Sequence, residues 1–384
     1  MSDSPVLQYA RLGYHARANI SREWATNRRR FLYTTIAMQF DVGSGMGYRK
    51  IREPEGLTSF DELPIIDLSD IESADETKLR AVASKIYDAC TKVGFFYIKN
   101  HGIPKESVAA IKKEAERYFK GLSMEKKMEL DREKSEFHLG YGPFEDAKNG
   151  GDKAHPYESV LIGREVSWDV EYTGKVDPKH DAINLLPKEE DLPGHRAIIG
   201  QYYGQMLKLS RKLARMFALS LELPMHFFDD KMEKPGCLLG LNYYAPKGEV
   251  ATDVNSAILA HTDHELFTIL LQSDGINALE VVNGDGVWVP AKPIPDTFVV
   301  NIGDALSIWT NNVFLSTLHR ASNTTGAERY SIPFFFGPDY DAVMETLPSC
   351  ISETRPMIYK PVTQAEHYLA KMNTAYGAST LVAA

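Results

Sequence analysis

From Cys237 to Phe336 the sequence is a succession of short apolar and β-branched runs, near 237–244, 256–261, 266–272, 278–283, 287–290, 297–302, 306–309, 318–322 and 330–336. Gly, Asn, Asp or Pro separates each run from the next. Strands this short bury enough surface only by stacking two sheets or closing one, so a sandwich, barrel or jelly roll is expected. Ahead of this stretch the period changes. Leu79, Val82, Ala83, Ile86, Tyr87, Cys90 and Val93 recur every three or four residues and predict an amphipathic helix over about 76–93. Val108, Ile111, Ala115, Tyr118 and Phe119 predict a second over about 105–122, and a third runs over about 195–221 until Pro224 ends it. Phe95 to Lys99 reads as a strand between the first two, and Leu63 to Leu68 as an edge strand where the folded domain begins. Residues 131–192, rich in Gly, Asp, Lys and Pro, show little period and predict a long irregular segment.

Composition narrows the partners. With 384 residues, 43% of them apolar, the chain can bury a large core, which excludes a disordered polypeptide. The 43 Lys and Arg against 52 Asp and Glu leave a net charge of −9. Residues 1–50 hold eight Lys/Arg and three Asp/Glu, so the remainder carries −14. Such a field opposes phosphate backbones and anionic membranes, so no nucleic-acid partner is expected and a small molecule is the default. The basic leader, with Arg28, Arg29 and Arg30, reads as a solvated extension; an organelle presequence or a nucleic-acid or lipid contact are its other readings. Cys90, Cys237 and Cys350 form no CxxC pair, which argues against a disulfide framework or thiolate zinc site and favours a reducing, cytoplasmic setting. No apolar run approaches the roughly 18 residues of a membrane span.

The chemistry-bearing residues lie in the β-rich part. His261-Thr262-Asp263 closes one expected strand, where period 2 turns His261 and Asp263 to the same face. His319 closes another. Two imidazoles and one carboxylate are the ligand set that holds non-haem Fe(II) with open coordination positions. Alone, an H-x-D pair is equally well a hydrogen-bonded or exposed His–Asp pair, and Glu265 is a rival carboxylate. Arg329 and Ser331 share a face at the start of the last strand, and Asn242 and Tyr244 share one on another. A guanidinium with a hydroxyl beside it can take a carboxylate through paired hydrogen bonds, although a surface ion pair is the simpler reading of Arg329. Phe335, on the strand that leaves Arg329, reads either as a wall of the substrate site or as core.

Taken in order, these motifs resemble the iron(II) and 2-oxoglutarate dependent dioxygenases of the isopenicillin N synthase-like superfamily. The N-terminal likeness lies in Leu63 to Leu68 and in Gly94-Phe95-Phe96-Tyr97-Ile98-Lys99-Asn100-His101-Gly102-Ile103-Pro104. The catalytic likeness lies in Asn242-Tyr243-Tyr244, His261-Thr262-Asp263, Gly303-Asp304, His319-Arg320 and Arg329-Tyr330-Ser331. Two departures stand out: Ala245 precedes Pro246 where the family often has proline directly, and Asn311-Asn312 replaces a common Asn-Gly.

The resemblance implies a mainly β fold with flanking helices, a double-stranded β-helix or distorted jelly roll. It implies Fe(II) as cofactor on His261, Asp263 and His319. As co-substrates it implies O2 and 2-oxoglutarate, the latter gripped by Arg329 and Ser331 with help from Tyr244 and Asn242. The expected activity is oxidation of a small organic molecule by hydroxylation, desaturation or ring rearrangement, with release of succinate and CO2. An oxidase of the isopenicillin N synthase type, which does not use 2-oxoglutarate, keeps the same motifs, and a non-catalytic jelly-roll binding protein is the alternative outside enzymes. The organisation expected is an extension over 1–62, an N-terminal dioxygenase region over 63–192, a helix and jelly-roll core over 193–340, and a C-terminal extension over 341–384 packed on the core.

Overall fold

A computed structural model describes residues 56–144, 157–177, 181, 183–246, 257–322 and 325–376, so the basic leader lies outside the described residues. The strands are β1 (Ile65–Asp67), β2 (Phe95–Lys99), β3 (Gly140–Gly142), β4 (Glu158–Gly163), β5 (Cys237–Tyr244), β6 (Ala257–His261), β7 (Phe267–Gln272), β8 (Leu279–Val282), β9 (Trp288–Pro290), β10 (Thr297–Ile302), β11 (His319–Ser322), β12 (Arg329–Phe336), β13 (Val343–Met344) and β14 (Val362–Thr363). The helices are α1 (Glu76–Lys92), α2 (Lys105–Glu116), α3 (Met124–Glu129), α4 (His195–Ser220), α5 (Asp304–Trp309) and α6 (Gln364–Tyr376).

Eight strands form a major sheet in the order β1-β2-β10-β7-β12-β5-β4-β3, and four form a minor sheet in the order β6-β11-β8-β9. Pairing is antiparallel throughout both, except between β1 and β2. Period 2 sends alternate side chains of the major sheet into two different cores. Phe96, Ile98, Ile269, Leu271, Phe298, Val300, Ile332 and Phe334 pack with the apolar stripes of α1, α2 and α4. Their neighbours Phe95, Tyr97, Leu270 and Val299 point the other way and meet Leu279 and Val281 of the minor sheet. The two facing antiparallel sheets with helices outside make the distorted jelly roll. Its inner face, the one shared between the sheets, is where the functional side chains project.

Two expectations need correction. Residues 306–309 are not a strand but part of α5, capped by Gly303 and buried throughout. A buried apolar run of this length carries no periodic signal that separates strand from helix. The segment 131–192 is also less irregular than its composition suggests, because β3 and β4 complete the far edge of the major sheet. The edge that β4 pairs with is β5, distant in sequence, and β3 pairs in turn with β4. Asn311 and Asn312 both hold left-handed backbone, at φ of 52° and 62°, the conformation that makes Asn-Gly common at such a turn. Asn312, in the place of that glycine, adds ties that glycine could not, its Oδ1 accepting from Ser307 Oγ at 2.9 Å and from the Tyr359 hydroxyl at 2.7 Å.

Candidate metal centre and anion site

His261 and His319 are direct partners in the antiparallel register of β6 and β11, which sets their rings side by side with centroids 4.2 Å apart. A register shift follows His319 on β11, a local irregularity of the kind that re-aims side chains beside active sites. Asp263 stands two residues past His261, and its Oδ1 lies 3.6 Å from His261 Nε2 and 3.7 Å from His319 Nε2. The three ligand atoms lie within 4.8 Å of one another, the only such group of metal-ligating side chains among the described residues.

Hydrogen bonds fix which atoms face inward. Asp263 Oδ2 accepts from Thr268 Oγ1 and, at 2.7 Å, from Asn301 Nδ2, so Oδ1 is left to the cluster. His319 Nδ1 faces the Thr317 carbonyl at 3.3 Å, which holds the proton there and leaves the Nε2 lone pair pointing at Asp263. Burial, reinforced by His261, pushes the His319 imidazole down to about 4, so it is neutral at pH 7. For Asp263 burial works against ionisation, but His319, His261, Thr268 and Asn301 outweigh it and hold the carboxyl below its usual range. Two imidazoles and a carboxylate thus converge, a donor set that fits Fe(II). Glu265, the rival carboxylate, is outside the cluster. Its side chain lies by Gly337, and burial, with the Asp263 charge adding, pushes it up to about 8.

Support for this segment comes from two directions that the sequence did not announce. Gly303 passes so close that a Cβ there would run into the Glu265 carbonyl, which accounts for glycine ahead of Asp304. Asp304 Oδ2 accepts from Thr262 Oγ1 at 3.1 Å and from Lys371 Nζ at 2.7 Å. Lys371 is buried and belongs to α6, so the C-terminal helix braces the residue between His261 and Asp263. Asn301 did carry a signal, as the one polar residue in Phe298 to Ile302; its partner could not be read.

The other expected residues gather along the inner face of the major sheet. Arg329 lies opposite Tyr244, with its guanidinium 4.5 Å from the centre of the Tyr244 ring, and Tyr157 stacks on the same ring at 5.0 Å. Ser331 lies opposite Asn242 on β5 and Gln272 on β7. Arg329 is only 3% exposed, yet it forms no ion pair with any described carboxylate, so the surface-pair reading fails. A buried guanidinium with no carboxylate beside it among the described residues has the donors to take an anion through paired hydrogen bonds. Phe335 stands opposite Thr268, the residue that holds Asp263, and opposite Leu238. It is half-buried on the inner face, whereas Phe334 and Phe336 are fully buried in the helix-side core.

Residues 235–338 match the family model of the 2OG-Fe(II) oxygenase superfamily, and residues 63–189 that of the "non-haem dioxygenase in morphine synthesis N-terminal". A 2-oxoglutarate-Fe(II) type oxidoreductase of Metarhizium majus is 36% identical over 345 residues, 85% of this chain and 91% of that protein. The chain belongs to the 2OG-Fe(II) oxygenase superfamily. A homoarginine-6-hydroxylase of Oryza sativa subsp. japonica is 30% identical over 331 residues, 83% of this oxygenase and 99% of that protein. Among solved structures, a full-length Neurospora crassa protein in complex with alpha-KG and thymine superposes with a TM-score of 0.71 at 26% identity. That match covers 84% of this chain and 99% of the Neurospora chain. The protein is an Fe(II)- and 2-oxoglutarate-dependent oxygenase of small organic molecules, with O2 as the further co-substrate. Among the described residues no helix is long and apolar enough to cross a membrane.

Proposed function

We propose that His261, Asp263 and His319 hold Fe(II), and that Arg329 and Ser331 take the distal carboxylate of 2-oxoglutarate with Tyr244 and Asn242 beside them. The observation that carries this reading is the buried guanidinium of Arg329, with no carboxylate partner among the described residues, on the same sheet face as the Asp263 support Thr268. Fe(II) held there supplies the oxidation of a substrate C–H bond by O2, with 2-oxoglutarate converted to succinate and CO2. The protein's own part is positional. Thr268 and Asn301 hold one oxygen of Asp263 so that the other faces the metal, and the Thr317 carbonyl keeps the His319 lone pair in place. Tyr244, itself stacked on Tyr157, covers the guanidinium with aromatic surface, which keeps water off the ion pair and strengthens it. Phe335 forms part of the wall against which the substrate rests, and the outcome is hydroxylation, desaturation or ring rearrangement according to how that substrate sits.

The charge of −14 over residues 51–384 supports a small molecule rather than a nucleic acid as substrate. The three free, buried cysteines support a cytoplasmic location. The deciding measurement is succinate and CO2 formed from 2-oxoglutarate with added Fe(II). Metal-dependent formation of both is expected; oxygen uptake on a substrate without 2-oxoglutarate consumption would assign Arg329 to that substrate instead.

A further expectation concerns the residues behind the ligands. Asn301→Ala and Thr268→Val should each weaken Fe(II) binding by about 10- to 100-fold, the usual cost of removing a partner that orients a metal ligand. Anaerobic Fe(II) titration reads this directly, and wild-type affinity in both variants would show that Asp263 needs no such support.

A further inference from the structure

Arg329 is not the only guanidinium on the inner face of the major sheet. Arg132 sits on the short helical turn Arg132–Lys134 ahead of β3, and its Nη2 donates to Ser159 Oγ. The same guanidinium lies against Gly142, where an added Cβ would overlap it. Gly142 is a strand residue without the left-handed φ that would call for glycine, so the vacant side-chain position is accounted for by the arginine that fills it. Register then locates this seat. Gly142 pairs with Ser159, Ser159 with Asn242, Asn242 with Ser331, and Ser331 with Gln272, so one row crosses five strands on a single face. Arg132 caps the far end of the row, and the Ser159 it touches stands two strand spacings, roughly 10 Å, from Ser331. It forms no ion pair with any described carboxylate, it is half-buried, and Nη2 alone is engaged by Ser159.

We infer that Arg132 is a specificity residue that takes a carboxylate of the primary substrate, so that the oxygenase acts on a carboxylate-bearing small molecule. The inference rests on the reading of the site given above, in which Arg329 is already committed to 2-oxoglutarate. A second arginine on the same face, with only Ser159 on its fork among the described residues, supplies an anion site too far along the row to serve that same carboxylate.

The test uses the full chain with Fe(II) and 2-oxoglutarate, and reads succinate formed above the substrate-free rate. The probes are a panel of small carboxylic acids, amino acids included, each beside its primary amide. Acids should stimulate succinate formation where their amides do not. For a stimulating acid, Arg132→Gln should raise KM by about 10- to 100-fold, the loss expected for a charge-assisted hydrogen bond, while KM for 2-oxoglutarate moves less than about twofold. Arg132→Lys should recover part of the loss. Gly142→Ala, which displaces the guanidinium without changing charge, should shift the same KM in the same direction. Stimulation by no acid, equal stimulation by acids and amides, or an unchanged KM for the acid in Arg132→Gln would each overturn the assignment. A shift in KM for 2-oxoglutarate alone would overturn it too, by moving Arg132 to the co-substrate. A wild-type protein that makes no succinate from 2-oxoglutarate would instead remove the underlying reading of the site, a failure visible before any acid is added.

Discussion

His261→Ala, Asp263→Ala and His319→Ala are each expected to abolish 2-oxoglutarate turnover while the protein stays folded. Each removes one of three donors that converge within 4.8 Å, and no other described His, Cys, Asp or Glu group stands ready to replace it. The fold should survive because the large core lies on the opposite face of the major sheet, packed against α1, α2 and α4. Asp263→Ala should be the least stable of the three. It leaves the buried side chains of Thr268 and Asn301 without their acceptor, at about 1–3 kcal/mol for each group. Anaerobic Fe(II) binding, turnover and thermal unfolding, measured together, separate loss of metal from loss of fold. Full activity in Asp263→Ala would end the assignment and bring Glu265 forward as the carboxylate ligand.

Arg329→Gln should raise KM for 2-oxoglutarate by about 10- to 150-fold. Hydrogen bonds to charged groups contribute roughly 1.5–3 kcal/mol net, and about 1.4 kcal/mol corresponds to one decade. The effect belongs near the upper end, because Arg329 is buried with an aromatic ring against one side of the guanidinium and solvent screens the pair poorly. Lysine should restore only part, since it keeps the charge and loses the planar fork. Ser331→Ala should act in the same direction and more weakly, having removed a neutral donor. If the glutamine variant keeps its 2-oxoglutarate KM and loses affinity for the primary substrate, Arg329 grips that substrate's carboxylate and an oxidase mechanism replaces the one proposed here.

The His-x-Asp pair, the distant histidine and the Arg-x-Ser pair were legible in the sequence as candidates through local geometry and residue type, and their roles through the order of motifs that resembles the family. A strand turns residues i and i+2 to one face wherever it lies, and ligand chemistry is a property of residue type. The same locality made the β-rich stretch and the long helices readable. It could not place 306–309, where a short buried run fits helix and strand equally and α5 forms because Gly303 and Asp304 start it beside the metal segment. Nor could it find β3 and β4, which are strands because β5 offers β4 a hydrogen-bonding edge and β4 offers one to β3. The groups that support and elaborate the site are all of this second kind. Thr268 and Asn301 reach Asp263, Lys371 reaches Asp304 from the last helix, and Arg132 comes to rest on Gly142. Sequence by itself offered the side chains proposed to bind a metal and an anion. Tertiary structure alone decided what holds them in place and what else stands on the same sheet face, because each such contact joins residues whose nearness has no trace in the intervening chain.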